Sequence, residues 1–339
     1  MKVKQTIPTI DLNRYRLGDA SDRAQVVHDL GYAFEEFGFL AVENHGLDRV
    51  IVQNAYTAMK DFFALPGATK KLYELREIGR QRGYTPFGKE KAKNRSTADV
   101  KEFWHSGPEF NVTNPLYNRV PRNIWPTEVP TFKTSISSLY QELSACGDLL
   151  LEVLGRYLGA EEGYFKQMTT GGNSVLRMIR YPDRQEVEPG SDAVWAAAHE
   201  DINLITLLIE ATGAGLQILR RDGEWMSIAP IPGQLIADTG DMMQRLTNGQ
   251  ISATTHRVLA PDEQNGPRYS MPFFIHPHPD TNLACLPQCV GEHIPARYRS
   301  ISAEDYLEER LRDNGVWTID KDIDWLGSHT IDLDIDDDH

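Results

Sequence analysis

Three stretches before Gly171 repeat apolar side chains every three or four positions, which is the spacing of one helix face. The first covers residues 21–37, with Ser21 as the expected N-cap and Gly38 as the expected stop. The second ends before Pro66, because the residue before a proline disfavours helical angles. The third covers residues 132–157. We therefore predict a mainly helical first third and, after it, one long helix with a single buried stripe.

After Gly171 and Gly172 the pattern changes to short apolar runs that are separated by turn residues. Two reversals are expected, at residues 221–223 and 248–249, where asparagine or aspartate precedes glycine. The predicted strands cover residues 174–181, 203–209, 216–219, 225–228, 235–238, 251–258 and 269–275. Many short strands without intervening helices favour a sandwich or a jelly roll over a parallel sheet.

The composition is that of an ordinary globular protein, since 40% of the 339 residues are hydrophobic and 25% are charged. A formal charge of −14 argues against sequence-independent binding to nucleic acid, which needs a surplus of lysine and arginine. The three cysteines are an odd number, which fits a reducing compartment better than a disulfide framework. No stretch resembles a signal peptide or a membrane span. We expect a cytoplasmic protein with neither nucleic acid nor membrane as a partner.

The changes of pattern divide the chain into four parts that are expected to form one structural unit. Residues 1–170 are a helical N-terminal region packed on the core, and residues 171–280 are the catalytic β core. Residues 281–331 form a C-terminal helical segment, and residues 332–339 are an acidic tail that is expected to be disordered. A monomer is the expected oligomeric state.

A candidate metal site combines two histidines and one aspartate from two of the β segments. His199 and Asp201 are separated by one residue, so an extended backbone directs both side chains to the same side. His256 supplies a third ligand from a different strand. Two imidazoles and one carboxylate on one face of iron leave positions open for O₂ and a co-substrate, which is the arrangement of non-haem Fe(II) oxygenases. The pattern H-x-D alone is weak, and a lone strand histidine is more often structural.

Arg268 and Ser270 strengthen the metal hypothesis, because an alternating strand places them on one face together with Phe274. A guanidinium binds a carboxylate with two parallel hydrogen bonds, and a serine hydroxyl can add another donor. A dicarboxylic 2-oxo acid is then a natural co-substrate. Without the metal triad, an ion pair would be the simpler interpretation of this arginine.

Many ordered motifs between residues 7 and 277 support the same interpretation. They include residues 7–12, 38–39, 44–46, 83–84, 101–104, 198–201, 215–217, 232–233, 240–241, 247–249, 256–258 and 268–270. With these motifs the chain resembles the isopenicillin N synthase-like family of iron and 2-oxoglutarate-dependent dioxygenases.

The resemblance implies a mainly β fold with flanking helices and a double-stranded β-helix, or jelly-roll, core. It also implies that His199, Asp201 and His256 bind iron, and that Arg268, Ser270 and Tyr181 bind the distal carboxylate of 2-oxoglutarate. Where many relatives carry Asn-Tyr-Tyr-Pro, this chain has Ile-Arg-Tyr-Pro at residues 179–182, so a polar contact near the co-substrate is missing.

Three further residues are predicted to line the substrate side of the pocket. Arg177 shares a strand face with Tyr181, Phe274 occupies an aromatic position of the family, and Trp195 precedes the metal strand. For both aromatic residues a plain core position is an equally good interpretation. His45 and His105 are interpreted as structural.

The expected reaction is hydroxylation, desaturation or cyclisation of a small organic molecule, with 2-oxoglutarate converted to succinate and CO₂. A natural-product intermediate or an amino acid-like compound would fit. One alternative is an oxidase of the isopenicillin N synthase or aminocyclopropane-carboxylate oxidase type, which uses the same triad without 2-oxoglutarate. An alternative of another class is a non-catalytic binding or sensor protein on the same fold.

Overall fold

The computed structural model of the chain describes residues 6–90, 99–183, 186, 194–261 and 266–313. Within these ranges the chain forms thirteen strands, most of them antiparallel, and eight α-helices. The mainly β fold with flanking helices is therefore confirmed. The predicted acidic tail and the end of the predicted C-terminal helical segment lie outside the described residues. No helix in the described ranges is long and apolar enough to cross a membrane.

The helices surround the sheets and are concentrated in the first half of the chain. They are α1 Leu12–Leu17, α2 Ala20–Phe37, α3 Arg49–Phe63, α4 Gly67–Lys71, α5 Phe132–Tyr157, α6 Tyr164–Thr169, α7 Asp241–Leu246 and α8 Ala303–Asp313. The predicted long helix is confirmed as α5, and its apolar stripe, from Phe132 through Leu143 to Val153, is fully buried. It packs against α2, α3 and α6 and against the large sheet.

The ends of α2 show one correct prediction and one error. Gly38 ends the helix with a left-handed φ of 63°, a conformation that glycine adopts without steric cost. The N-cap is Asp19 rather than Ser21, because the Asp19 carboxylate accepts a hydrogen bond from the backbone N–H of Asp22. An aspartate two positions earlier provides an equally good cap.

The strands form a nine-stranded sheet and a four-stranded sheet. Their bounds are β1 Thr9–Asp11, β2 Phe39–Glu43, β3 Gly83–Thr85, β4 Glu102–Ser106, β5 Val175–Tyr181, β6 Ala196–His199, β7 Ile205–Ile209, β8 Leu216–Leu219, β9 Trp225–Ser227, β10 Leu235–Thr239, β11 His256–Val258, β12 Arg268–Ser270 and β13 Pro272–Ile275. The large sheet runs β1-β2-β10-β7-β13-β5-β4-β3, with β12 also paired to β5, and the small sheet runs β6-β11-β8-β9.

The two sheets enclose a common interior, as expected for a jelly roll. Ile179 and Phe39 from the large sheet belong to one buried cluster with Ala196, Ile218 and Val258 from the small sheet. A second and larger cluster lies on the other face of the large sheet, where the helices pack. The functional side chains lie in and beside the interior between the sheets.

Four strands lie in the part of the chain that was predicted to be mainly helical. The strands β1 to β4 have only three to five residues each, too short for a clear alternation of apolar and polar side chains. They are placed by long-range pairing, since β2 joins β10 and β4 joins β5. The N-terminal region thus contributes strands to the large sheet as well as helices.

Two predicted strands of the β core are shorter than expected. The predicted strand 251–258 forms a strand only from His256 onward. The polar groups of the residues before it bond elsewhere. The backbone N–H of Ala253 donates to the side chain of Gln244, and the backbone carbonyl of Ser252 accepts from the hydroxyl of Thr239. The predicted strand 269–275 is interrupted at Met271. The part before it pairs with β5 alone, and the part after it pairs with both β5 and β7.

A buried carboxylate joins β4 to its neighbours. Glu102 is fully buried and accepts hydrogen bonds from the ammonium of Lys70 at 2.7 Å, the hydroxyl of Tyr84 at 2.6 Å and the guanidinium of Arg180 at 3.0 Å. Such a group is stable in the interior only while its charged partners remain.

We expect the substitution Glu102→Gln to lower the free energy of unfolding by about 3 kcal/mol, because it leaves Lys70 without a counter-charge in the interior. Urea denaturation monitored by circular dichroism measures the change. The matched control is Glu309→Gln, which removes the exposed ion pair with Arg299 and should leave the midpoint unchanged. Equal effects of the two substitutions would contradict the stabilising role of the buried Glu102 on β4.

Candidate active site

The structure brings together the three predicted metal ligands. His199 ends β6, His256 begins β11, and the two residues are directly paired across the small sheet. Asp201 follows β6, and its Oδ1 lies 3.7 Å from Nε2 of His199 and 3.8 Å from Nε2 of His256. One ligand atom of each residue lies within 4.8 Å of the others. The three donors thus surround a single point.

Backbone hydrogen bonds fix which nitrogen of each histidine faces that point. Nδ1 of His199 lies 2.7 Å from the carbonyl of Ala197, and Nδ1 of His256 lies 3.1 Å from the carbonyl of Thr254. A carbonyl only accepts, so each Nδ1 carries the proton and each Nε2 presents a lone pair. Burial, together with the nearby His256, lowers the pKa of His199 to about 4. Its ring is therefore neutral at ordinary pH, as metal binding requires.

A chain of hydrogen bonds orients the aspartate. Thr206 donates from its hydroxyl to Oδ2 of Asp201, and Asn203 donates to that hydroxyl at 2.7 Å. Oδ1 of Asp201 is thereby left to face the histidines. Burial, reinforced by the charge of Asp201, raises the pKa of the neighbouring Asp238 well above its ordinary value. The raised pKa favours the neutral form of Asp238.

The donor set fits a divalent iron ion. It offers two imidazole nitrogens and one carboxylate oxygen from one side, which is the facial arrangement with open positions that non-haem iron oxygenases use. The hydrogen bonds behind each ligand are of the kind that hold metal ligands in place.

The three residues predicted to bind a distal carboxylate also lie together. In the pairing of β12 with β5, Arg268 is opposite Tyr181, and its guanidinium carbon lies 5.0 Å from the centre of that ring. Arg268 is 2% exposed, and it donates to the carbonyl of Gly213 at 2.9 Å and to the hydroxyl of Ser270 at 3.4 Å. No carboxylate among the described residues forms an ion pair with it. A buried cation without a counter-charge fits an anionic guest.

A cavity of about 450 Å³ opens beside the metal ligands. His199 and Asp201 line it, and so do two of the three predicted substrate-side residues, Arg177 and Phe274. Trp195 does not line it. This side chain is 2% exposed and stacks on Tyr181 with ring centres 5.3 Å apart, so it has the core position that was the alternative interpretation.

Arg177 forms part of the cavity wall in a fixed orientation. Its guanidinium stacks over the rings of Phe103 and Phe274, 4.4 and 5.3 Å from their centres. Its Nε donates to Nε2 of His105 at 2.6 Å, while Nδ1 of His105 donates to the carbonyl of Arg80. His105, interpreted from sequence as structural, therefore also lines the cavity.

Several cavity residues were not found from the sequence. Leu307, Arg310 and Leu311 reach the cavity from α8, more than a hundred residues along the chain from the metal strand β6. Arg82 is fully buried at the wall, and burial lowers its pKa to about 10. Its guanidinium donates to Oδ1 of Asn173 at 2.5 Å. No local pattern distinguishes these residues from surface or core residues, because their placement depends on long-range packing.

Comparison with known proteins decides the family. Residues 172–277 match the family profile of the 2OG-Fe(II) oxygenase superfamily. Residues 7–128 match a second profile, described as "non-haem dioxygenase in morphine synthesis N-terminal". A crystal structure of a 2OG-Fe(II) oxygenase family protein from Caulobacter crescentus is 41% identical, with a TM-score of 0.82 over 91% of this chain and 99% of that one. This chain belongs to the 2OG-Fe(II) oxygenase superfamily.

Two further relatives agree with this assignment. The 2-oxoglutarate-Fe(II) type oxidoreductase hxnY of Emericella nidulans is 29% identical over 88% of both chains. The crystal structure of JOX2 in complex with 2OG, Fe and JA is 25% identical, with a TM-score of 0.73 over 91% of this chain and 85% of that one. The oxygenase is thus an Fe(II)- and 2-oxoglutarate-dependent dioxygenase that acts on a small molecule, and its cofactor and co-substrates are Fe(II), 2-oxoglutarate and O₂.

The buried charge of Arg268, which pairs with no described carboxylate, should lower the stability of the oxygenase when no ligand is bound. We expect Arg268→Met to unfold at a urea concentration no lower than the wild type when iron and 2-oxoglutarate are absent, because a buried unpaired charge is replaced by an apolar side chain. The control is Arg180→Met on the neighbouring strand β5. This control variant should lose about 3 kcal/mol of unfolding free energy, since Arg180 pairs with the buried Glu102. A comparable loss in Arg268→Met would show that the arginine has a counter-charge.

Proposed function

We propose that His199, Asp201 and His256 bind the catalytic iron, and that Arg268 binds the distal carboxylate of 2-oxoglutarate with Ser270 and Tyr181. The observation that carries the proposal is the combination of a convergent His-Asp-His donor set with a buried arginine that forms no ion pair with any described carboxylate. Arg268 lies opposite Tyr181 on β5, and Arg177, four residues earlier on the same strand, lines the cavity beside the metal ligands. A dicarboxylate that bridges metal and arginine satisfies both groups.

Iron bound at this site supplies the activation of O₂ and the oxidative decarboxylation of the 2-oxo acid to succinate and CO₂. The protein positions the reactants. The hydrogen bonds of Thr206 and of the histidine Nδ1 atoms hold the ligands, so that metal binding needs little rearrangement. The stacked rings and guanidinium at Phe103, Arg177 and Phe274 form a rigid wall that orients the substrate and excludes water.

The substrate that fits best is a small organic molecule, which is hydroxylated, desaturated or cyclised. A volume of about 450 Å³ admits a compound of the size of an amino acid or a small natural-product intermediate rather than a polymer. The wall combines apolar side chains such as Val175 and Ile202 with polar ones such as Asn173. Such a wall suits a compound with an apolar ring or chain and a few polar groups.

The experiment that tests the proposal is an anaerobic titration of the Fe(II)-loaded oxygenase with 2-oxoglutarate, followed through the weak visible charge-transfer band of the chelate. We expect a saturable band in the wild type and none in Asp201→Ala, which loses one ligand. Arg268→Met should need at least about tenfold more 2-oxoglutarate for saturation, because it lacks the charge-assisted hydrogen bonds to the distal carboxylate.

Bound iron without any band would contradict the role of 2-oxoglutarate and favour an oxidase that uses the triad alone. An unchanged affinity in Arg268→Met would remove that residue from the co-substrate site. Succinate release on admission of O₂ provides an independent readout, because an oxidase of the alternative type forms no succinate.

A further inference from the structure

A compact cluster of four charged side chains lies on the cavity wall beside the metal ligands. Lys101 lies 2.6 Å from a carboxylate oxygen of Glu90 and 2.9 Å from one of Asp99, and Arg177 lies 3.2 Å from Glu90. All four residues line the cavity, and Lys101 is only 5% exposed. Burial opposes the charge of Lys101, but the two carboxylates outweigh it and raise the pKa of the ammonium. Lys101 is therefore a buried cation at all ordinary pH values.

The ammonium of Lys101 retains one hydrogen-bond donor for which the described residues provide no acceptor. An ammonium has three N–H groups, and Glu90 and Asp99 account for two of them. Within the described part of the chain no other acceptor contacts it. A buried N–H without an acceptor is unfavourable, so the third donor is suited to a ligand that enters the cavity.

The cluster is tied to the metal strand. The other oxygen of Asp99 accepts a hydrogen bond from the backbone N–H of Ala197 at 3.1 Å, two residues before the ligand His199 on β6. The backbone of Val100 bonds to Val194 just before that strand. Lys101 also lines the same cavity as the metal ligands His199 and Asp201.

Phe103, two residues after Lys101, gives the cavity wall an apolar surface. In the pairing of β4 with β5, Phe103 is opposite Ile179, and both are apolar and buried. Glu90 contacts both Lys101, which immediately precedes β4, and Arg177 of β5. The ammonium is therefore held at the wall of the cavity that Arg177, His199 and Asp201 also line.

We propose that Lys101 is a co-substrate-binding residue that donates a hydrogen bond to the 2-oxo acid end of 2-oxoglutarate. The inference rests on the proposed function, in which Arg268 holds the other end of the same molecule. A 2-oxo dicarboxylate carries one negative charge at each end, and the protein provides one buried cation near each. Glu90 and Asp99 hold the ammonium in place and keep it charged, while its third N–H remains for the ligand.

The test is the charge-transfer titration of Fe(II)-loaded, oxygen-free protein with 2-oxoglutarate, in which both the dissociation constant and the wavelength of the band are recorded. We expect Lys101→Met to raise the dissociation constant at least about tenfold, the effect of one charge-assisted hydrogen bond. We also expect the band to shift to shorter wavelength. Electron transfer from iron to the 2-oxo acid becomes more costly when a nearby positive charge is removed.

Two controls separate this role from a structural one. Lys70→Met removes another buried lysine, which pairs with Glu102 away from the cavity, and should leave the band in place. Arg268→Met should weaken binding at the distal end without moving the band. Because Lys101→Met leaves the buried Asp99 without its lysine partner, the double variant Lys101→Met/Asp99→Asn is measured as well. It also removes the charge of Asp99 and should show the same shift.

A band of unchanged wavelength in either Lys101 variant would overturn the proposal, even if affinity fell, because the loss of a cation in contact with the 2-oxo acid end must move the band. An unchanged dissociation constant would overturn it too. The absence of any band in the wild type would contradict the proposed function itself. The wild-type titration alone therefore distinguishes a failure of the proposed function from a failure of the Lys101 proposal.

Discussion

The antiparallel pairing of β6 with β11 is the constraint on which the iron site depends. It places His199 directly opposite His256, although the two residues are far apart in the chain, and the step of two residues to Asp201 adds the carboxylate from the same side. Side chains alternate along a strand, so a slip of one residue would turn one histidine to the other face of the sheet. The backbone carbonyls two residues before each histidine then fix its free nitrogen toward the metal position. The register of the two strands, the tautomers of the two histidines and the direction of their ligand nitrogens thus follow from the pairing of β6 with β11.

Electrostatics inside the jelly roll provides the second constraint. Two buried cations are proposed to bind the co-substrate: Arg268, which forms no ion pair with a described carboxylate, and Lys101, which keeps one N–H without a described acceptor. Such groups reduce the stability of the free protein and are retained where a ligand completes them. The large hydrophobic cluster beneath the helices, formed mainly around α5, provides the stability that offsets this cost. The core and the site therefore occupy opposite faces of the large sheet.

Much of this arrangement could be predicted from the sequence, and the rest could not be predicted for physical reasons. The metal triad, Arg268 and the stripe of α5 follow from local periodicity and side-chain chemistry, which need no knowledge of distant contacts. The strands β1 to β4 are too short to show a period and are placed by pairing with distant partners. Trp195 lay near the metal strand in sequence, yet packing against Tyr181 turned it into the core. The proposed role of Lys101 depends on its contacts with Glu90 and Asp99 and on the bond of Asp99 to distant Ala197, and no local pattern indicates such a cluster.

The central claim is that one interior holds iron at the His-Asp-His set and the far carboxylate of 2-oxoglutarate at Arg268. Anomalous diffraction at the iron edge, from crystals grown without oxygen in the presence of Fe(II) and 2-oxoglutarate, tests it most directly. The account predicts one strong anomalous peak bonded to Nε2 of His199, Nε2 of His256 and Asp201, with the distal carboxylate on the guanidinium of Arg268. A peak at another position, or a co-substrate bound away from Arg268, would contradict it.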